Sequence, residues 1–162
     1  MRIGVVGDTH NRMSNVDRIV MLFQEARVDR VVHTGDITQP KVLERFATLD
    51  VPLLGVYGNN DRGERARLES EARRFGMDLA DPPRSIEWAG RRIMIVHDPT
   101  EAPDALPAGL DLILHGHTHR PAVHHFTVDQ NHATRIVLGD WYEQGSLVRW
   151  DNNGFSLDRL AR

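Results

Sequence analysis

The chain has 162 residues, of which 40% are hydrophobic and 27% charged, and this composition is ordinary for a globular domain. A formal net charge of −3 argues against a general electrostatic partner such as nucleic acid or an anionic membrane. The absence of cysteine excludes disulfides, zinc–thiolate sites and cysteine nucleophiles. No apolar run approaches the roughly 18 residues of a membrane span and no signal-peptide pattern is present, so we expect one cytoplasmic domain over residues 1–162.

The first half of the chain alternates short apolar runs with amphipathic segments. The runs read as buried strands because each is followed by glycine or other polar, turn-forming residues. We expect these strands at residues 3–6, 31–32 and 53–56. A helix should follow each strand: one capped by Ser14, one with Pro40 in its first turn, and a more polar one over residues 64–75. This β-α-β-α-β-α order predicts a parallel sheet with helices packed on it.

The second half contains short strands in succession, with turn residues at Ala89-Gly90 and at 152–154. We expect these strands at residues 84–88, 92–96, 112–114, 123–128, 135–138, 147–150 and 155–160. Their close succession predicts a largely antiparallel second sheet. Together the two halves predict an α/β fold, a four-layer α-β-β-α sandwich of two stacked mixed sheets.

Five of the strands end in side chains that can bind a divalent cation. These side chains are Asp8, His10, Asp36, Asn59, His97, His117 and His119. The carboxyl ends of strands line the ligand crevice in α/β sheets, so these groups could converge on one rim. A single Gly-Asp pair is usually only a turn. The recurrence of such side chains at five strand ends is what favours a metal site.

The residue types also indicate which metals would bind. Two carboxylates packed at one rim would repel each other, and a divalent cation removes that repulsion. Oxygen and imidazole ligands without a thiolate suit Mn²⁺, Fe, Zn²⁺ or Co²⁺. Seven ligands exceed one tetrahedral site and suit two ions about 3.5–4 Å apart with a bridging carboxylate.

The order of these motifs resembles that of the calcineurin-like metallophosphoesterases. The motifs are Asp8-Thr9-His10, Gly35-Asp36, Gly58-Asn59-Asn60-Asp61, His97 and Gly116-His117-Thr118-His119. Their compact spacing is similar to the small bacterial and archaeal phosphodiesterase branch. The C-terminal part, GHTHRPAVH followed by VLGDWYEQGS, resembles the UDP-2,3-diacylglucosamine hydrolases.

The resemblance implies the calcineurin-like metallophosphoesterase fold and two divalent metal ions, with Mn²⁺ expected first and Fe, Zn, Co or Ni as alternatives. It implies two ligand sets that share Asp36 as the bridge. The first set is Asp8, His10, Asp36 and His119, and the second is Asp36, Asn59, His97 and His117. His115 lies outside the motif and is expected to be a strand-terminal group.

The implied function is that of a phosphodiesterase-type enzyme that hydrolyses a small phosphorylated substrate by in-line attack of metal-activated hydroxide. The expected catalytic residues are Asp36, Asn60 and Asp61. Asn60 stands where much of the family has histidine, and a carboxamide cannot act as a general acid near neutral pH. Asp61 is expected to orient a ligand histidine. Either of two arginines, Arg12 or Arg62, could stabilise charge on the phosphate.

Two further departures bear on the substrate. Asp98 follows His97 where the small branch often has glycine, and only residues 98–116 separate His97 from His117. That segment is too short for a lid over acyl chains, which opposes the first alternative, a UDP-2,3-diacylglucosamine-type pyrophosphate hydrolase. The second alternative is a non-catalytic metal-binding scaffold, as in a retromer subunit with this fold. A homo-oligomer is left open.

The remaining polar and aromatic candidates are interpreted as structural. His33 is expected to be a half-buried strand residue. We expect three histidines, His124, His125 and His132, to be solvated near a hairpin. The last group is Asp140, interpreted as a turn residue, and Trp141 and Tyr142, interpreted as packing.

Overall fold

The structure is a computed structural model, and it describes residues 1–139, 145–151 and 154–160. Its first sheet is parallel throughout, in the order β1-β2-β3-β4. The strands are β1 (Ile3–Val6), β2 (Arg30–His33), β3 (Leu53–Val56) and β4 (Asp78–Ala80). Sequence analysis missed β4, because this strand has three residues, begins with an exposed aspartate and carries no apolar run.

Three helices cover one face of this sheet: α1 (Met13–Glu25), α2 (Pro40–Ala47) and α3 (Arg65–Arg74). Their apolar faces meet the sheet in one buried cluster that includes Phe23 and Phe46. Burying each of these rings contributes about 1.5–3 kcal/mol to stability. The prediction that Ser14 caps α1 is wrong, because the helix already begins at Met13 with Arg12 in the N-cap position. A 3-10 helix at Asn59–Glu64 precedes α3.

The second sheet has five strands in the order β5-β6-β7-β9-β8. They are β5 (Arg84–Trp88), β6 (Arg91–Ile95), β7 (Leu112–His115), β8 (Ala122–Val128) and β9 (Asn131–Val137). The β5–β6 and β8–β9 pairs are antiparallel, whereas β6–β7 and β7–β9 are parallel. The expectation of a largely antiparallel sheet was therefore wrong. The segment between β6 and β7 crosses the sheet, so β7 runs in the same direction as β6.

A separate antiparallel hairpin follows, formed by β10 (Gly145–Asp151) and β11 (Gly154–Leu160), and β10 lies beside β1. The two large sheets stack face to face, because alternate side chains of their strands point into a shared apolar layer. This layer contains Ile3, Val5, Val32, Val56, Ile93, Ile95, Leu112, Leu114, Ile136, Leu138 and Val148. The predicted α/β architecture of two stacked sheets with helices is confirmed.

The outermost layer beyond the second sheet differs from the prediction in detail. Residues 99–110 cover that face, and they contain a one-turn 3-10 helix at Pro99–Glu101 instead of an α-helix. Leu106 and Ala102 of this segment pack against Met94 and Ile113 of the sheet. Within the described ranges, no helix is long and apolar enough to cross a lipid bilayer.

Parallel pairing decides where the polar strand ends meet. The ends of β1, β2 and β3 lie at one edge of the first sheet, and the ends of β6 and β7 lie at one edge of the second. Backbone hydrogen bonds join successive strand ends, for example from the Asp8 N–H to the Gly35 carbonyl at 3.0 Å. The loops that carry the predicted ligands are thereby brought to one rim.

Candidate metal centre

The side chains predicted for the first metal lie together. Donor atoms of Asp8, His10 and His119 are all within 4.8 Å of one another. His119 Nε2 is 3.2 Å from Asp8 Oδ1, and His10 Nε2 is 3.8 Å from Asp36 Oδ2. These four residues come from three separate loops, so the fold, and not local sequence, brings them together.

The side chains predicted for the second metal form an adjoining group. His97 Nε2 is 3.5 Å from Asp36 Oδ1 and 2.9 Å from Asn59 Oδ1. The His117 ring lies edge-on to the His97 ring, with centroids 5.0 Å apart. Asp8 also lies within 4.8 Å of Asp36 and His97, so the two groups are continuous. All seven predicted residues therefore occupy one cluster.

Asp36 lies between the two groups. One of its carboxylate oxygens faces His97 of the second set, and the other faces His10 of the first. This carboxylate is almost fully buried, at 2% exposure. Its position is the one that a bridging ligand would need.

Five of the seven residues have left-handed backbone conformations. Asp8, His10, Asp36, His117 and His119 have φ values of 52°, 47°, 57°, 61° and 55°. This conformation costs a residue with a Cβ about 1–2 kcal/mol. Unfavourable backbone of this kind persists where surrounding structure holds it in place, and it clusters at functional sites.

Two glycines allow the loops to approach the carboxylates closely. A Cβ at Gly58 would collide with the Asp36 carboxylate and backbone nitrogen, and one at Gly116 would collide with the Asp8 carboxylate. These positions therefore require glycine for space, since neither has a positive φ. The same close approach lets the His117 N–H donate to Asp8 Oδ2 at 3.0 Å.

The donor set fits divalent cations. The Thr34 carbonyl lies 3.0 Å from His97 Nδ1 and can only accept, so Nδ1 donates, and in the neutral ring Nε2 presents its lone pair to the centre. That lone pair faces the oxygens of Asp36 and Asn59, an arrangement of acceptors that a cation satisfies. Burial raises the pKa of Asp8, an effect that His97 and His119 oppose and Asp36 reinforces. A bound cation would stabilise the ionised carboxylates.

Asp61 does not have the contacts that sequence analysis expected. Its carboxylate accepts from the backbone N–H groups of Asp36 at 3.0 Å, Gly58 at 2.7 Å and Thr38 at 2.7 Å. The expectation that Asp61 orients a ligand histidine was therefore wrong. It is fully buried and joins the loop of Asp36 to the loop of Gly58. Burial raises its pKa, and these three hydrogen bonds oppose that increase.

Asn60 contacts Asp36 at both of its carboxylate oxygens. The Asn60 backbone N–H donates to Oδ1 at 3.0 Å, and the side-chain amide donates to Oδ2 at 2.7 Å. Asn60 itself is exposed at the rim. Its position beside Asp36 is consistent with an electrostatic contribution and not with proton donation.

His33 is a structural residue of the site that sequence analysis undervalued. It was expected to be half-buried, but it is fully buried at the end of β2. Its Nδ1 accepts from the Gly35 N–H at 3.2 Å, so Nε2 carries the proton and donates to Thr9 Oγ1 at 3.1 Å. His33 thus joins the loop of Asp8 to the loop of Asp36. Burial lowers its pKa to about 3.

This burial predicts a pH dependence of stability. The folded state excludes a proton that unfolded His33 binds below its ordinary pKa of 6.5, so stability falls as pH decreases from 6.5 toward 3. In metal-free protein, we expect His33→Asn to reduce this slope by about 1.4 kcal/mol per pH unit. Urea unfolding between pH 6 and 4 measures it. The raised pKa values of Asp8 and Asp61 change stability with pH in the opposite direction. The slope of His33→Asn is therefore compared with the slope of the parent protein.

The control for this measurement is His132→Asn, since His132 is exposed on β9. It should retain the slope of the parent protein. Equal slopes for His33→Asn and the parent would contradict the assignment of a buried neutral imidazole.

The remaining candidates stay outside the cluster. His115 is buried at the end of β7, as expected, and its Nδ1 lies 3.1 Å from the Gly116 carbonyl. Burial lowers its pKa. Arg12, at the N-cap of α1, and Arg62, in the 3-10 helix at Asn59–Glu64, are both exposed. The three hairpin histidines, His124, His125 and His132, are also exposed, while Asp140, Trp141 and Tyr142 lie outside the described residues.

Solved structures with the same fold include two phosphoesterases. An archaeal phosphodiesterase matches with a TM-score of 0.79 at 23% identity, covering 99% of this chain and 100% of that one. YfcE, a phosphoesterase from E. coli, matches with a TM-score of 0.74 at 19% identity, covering 99% of both chains. Vps29 from Entamoeba histolytica, in a single-mutant form, matches more distantly, with a TM-score of 0.58 at 15% identity and coverage of 100% and 99%. At these identities the matches establish the fold alone.

Curated relatives match over a short segment. The UDP-2,3-diacylglucosamine hydrolase of Stenotrophomonas maltophilia strain K279a is 61% identical over 54 residues, which are 33% of this chain and 22% of that protein. The enzyme of the same name from Xanthomonas oryzae pv. oryzae strain PXO99A is 60% identical over 53 residues, with the same coverage. The matched segment thus spans about a fifth of these relatives.

The family comparison covers most of the chain. Residues 1–142 match the model of the calcineurin-like phosphoesterase superfamily domain. This range contains all seven residues of the cluster and both sheets up to the end of β9. The resemblance predicted from the ordered motifs is confirmed, and the chain belongs to the calcineurin-like phosphoesterase superfamily.

Proposed function

We propose that this protein is a binuclear metal-dependent phosphoesterase that acts on a small phosphodiester. The observation that carries the proposal is the position of Asp36, whose two oxygens face one histidine of each predicted ligand set. The proposed ligands are Asp8, His10, Asp36 and His119 for one ion and Asp36, Asn59, His97 and His117 for the other. Oxygen and imidazole ligands without thiolate suit Mn²⁺, Fe, Zn²⁺ or Co²⁺, and Mn²⁺ is the proposed metal because the family resemblance implies it first.

When bound, two divalent cations would supply Lewis acidity toward the phosphate oxygens and would activate water. The chain's own residues would hold this arrangement in place. Asp61 fixes the Asp36 and Gly58 loops through three backbone hydrogen bonds. The Thr34 carbonyl orients His97. Asn60 lies at the exposed rim, where its amide could also donate to a phosphate oxygen.

Turnover of bis-p-nitrophenyl phosphate tests this function. We expect hydrolysis by metal-free protein to be at background, to appear on addition of Mn²⁺, and to disappear with excess chelator. The same protein should bind two ions per chain by isothermal titration calorimetry. Binding of two ions without turnover of any ester would favour the alternative of a non-catalytic scaffold.

The presence of Asn60 in place of an acid predicts that the rate of hydrolysis depends strongly on the pKa of the leaving group. Because a carboxamide cannot protonate a departing alkoxide, aryl phosphodiesters should be cleaved at least about 10²-fold faster than alkyl diesters. Asn60→His, which introduces an acid of suitable pKa, should reduce that ratio. Rates for a series of diesters with graded leaving-group pKa measure the slope. A flat dependence in the parent protein would contradict this role of Asn60.

A second candidate is hydrolysis of the pyrophosphate bond of UDP-2,3-diacylglucosamine. The 61% identity over 54 residues to an enzyme of that name favours it. Residues 98–116 oppose it, because this connection holds only a one-turn 3-10 helix. Assaying UDP-2,3-diacylglucosamine beside simple diesters separates the two candidates. A higher kcat/KM for the nucleotide sugar would replace the phosphodiester proposal.

A further inference from the structure

Asp98 follows His97 but is not among the seven proposed ligands. Its Oδ2 lies 3.2 Å from Nε2 of His117, and both side chains are partly exposed. Its Oδ1 accepts from Thr100 twice, from the backbone N–H at 2.8 Å and from Oγ1 at 2.7 Å. One oxygen therefore caps a turn, and the other meets an imidazole of the proposed metal centre.

The surroundings of Asp98 hold its carboxylate in place. Glu101 Oε2 accepts from the His97 N–H at 2.8 Å and from the Asp98 N–H at 3.0 Å. Pro99 occupies the first position of the 3-10 helix that follows. With both the backbone and Oδ1 fixed, Oδ2 is preorganised toward His117.

His117 needs such a partner more than His97 does. The His97 ring is buried and oriented by the Thr34 carbonyl, whereas the His117 side chain is 41% exposed on the loop after β7. In the part of the chain that the structure describes, the Asp98 carboxylate is the polar side-chain group that contacts the His117 ring. Since a carboxylate can only accept, His117 Nε2 carries a proton, and in the neutral ring Nδ1 then keeps its lone pair.

We propose that Asp98 is a positioning residue that fixes the tautomer and orientation of His117, so that Nδ1 is free to bind the second metal. The proposal rests on the metal centre of the proposed function. Histidines that bind metals commonly donate their other N–H to a carboxylate, which fixes the ring and raises its basicity. Here the pair depends on Asp98, at a position where the branch that this chain resembles often has glycine.

The competing explanation is that Asp98 only caps the 3-10 helix. Asp98→Asn separates the two roles, because its remaining oxygen can still accept from Thr100 while its amide nitrogen becomes a donor toward His117. Thr100→Val is the matched control, since it removes one contact of Oδ1 and leaves Oδ2 unchanged. In thermal melts followed by circular dichroism, both variants should have melting temperatures within a few degrees of that of the parent protein.

The first measurement uses metal-free protein. Long-range ¹H–¹⁵N spectra of histidine rings at about pH 9, where imidazole is neutral, report which nitrogen carries the proton. We expect the Nε2–H tautomer for His117 in the parent and in Thr100→Val, and a shift to Nδ1–H in Asp98→Asn. An unchanged His117 tautomer in Asp98→Asn would overturn the proposal.

The second measurement is calorimetric titration with Mn²⁺ alone. We expect Asp98→Asn to weaken binding of the second ion by about 10- to 100-fold and to leave the affinity for the first ion unchanged. Thr100→Val should leave the affinity for both ions unchanged. Parent-like affinity for both ions in Asp98→Asn would overturn the proposal, as would binding of fewer than two ions by the parent. Two-ion binding without ester turnover would refute the proposed function while leaving the role of Asp98 intact.

Discussion

Replacing Asp36 with alanine is expected to lower Mn²⁺-dependent hydrolysis of bis-p-nitrophenyl phosphate by at least about 10³-fold. The reason is geometric, because Asp36 faces His10 of the first ligand set and His97 of the second. Its loss would therefore remove a ligand from each ion. Calorimetry should show that tight binding of two ions is lost as well. Initial rates at saturating Mn²⁺ measure the effect.

Loss of folding would not explain that result. Asp36 reinforces the increase that burial causes in the pKa of Asp8, so its removal relieves some repulsion at Asp8, while two hydrogen bonds from Asn60 are lost. Metal-free Asp36→Ala should therefore remain folded, and thermal melts of the metal-free variant and parent check this. Asp104→Asn is the matched control, because Asp104 is exposed in the segment that covers the second sheet. Activity of Asp36→Ala within tenfold of the control would contradict the bridging role.

Substituting Gly58 with alanine is expected to disrupt the site and to destabilise the fold together. The added methyl group would collide with the Asp36 carboxylate and backbone nitrogen. The Gly58 N–H also donates to Asp61, so the loop cannot move away without losing that hydrogen bond. We expect the free energy of unfolding to fall by about 1–3 kcal/mol, measured by urea denaturation, and Mn²⁺ affinity to fall with it.

Gly63 provides a control in the 3-10 helix that begins just after Gly58. A methyl group there would meet nothing within 4 Å, and its φ is not positive. Gly63→Ala should be neutral or stabilise the protein by up to about 1 kcal/mol through the unfolded state. If Gly58→Ala and Gly63→Ala had equal stability and equal metal affinity, close approach at Gly58 would not be required.

Much of the site was predictable because it lies at strand ends. Apolar runs followed by glycine and a metal-binding side chain are local patterns, visible at Asp8, Asp36 and Asn59 without any structure. Parallel strands carry their carboxyl ends to one edge, so the convergence of these residues followed from the β-α-β order. The helical faces around Phe23 and Phe46 followed from their spacing in the same way.

Contacts between distant loops were not predictable from local patterns. These contacts include the three hydrogen bonds that Asp61 accepts from backbone N–H groups, the hydrogen bonds of His33 to two loops, and the Asp98–His117 pair. Each depends on the position of a segment that is remote along the chain. The expectation of a largely antiparallel second sheet was wrong for the same reason, since the parallel β6–β7 pair depends on the path of residues 96–111 and not on their composition.

The sequence by itself determined which side chains are available for metal chemistry and at which strand ends they lie, because periodicity and turn residues act over a few neighbours. Only the tertiary structure decided how those side chains are held: which nitrogen of His97 faces the centre, which backbone amides Asp61 accepts, and which imidazole Asp98 meets. Hydrogen-bond direction and burial depend on groups that are remote along the chain and adjacent only after folding.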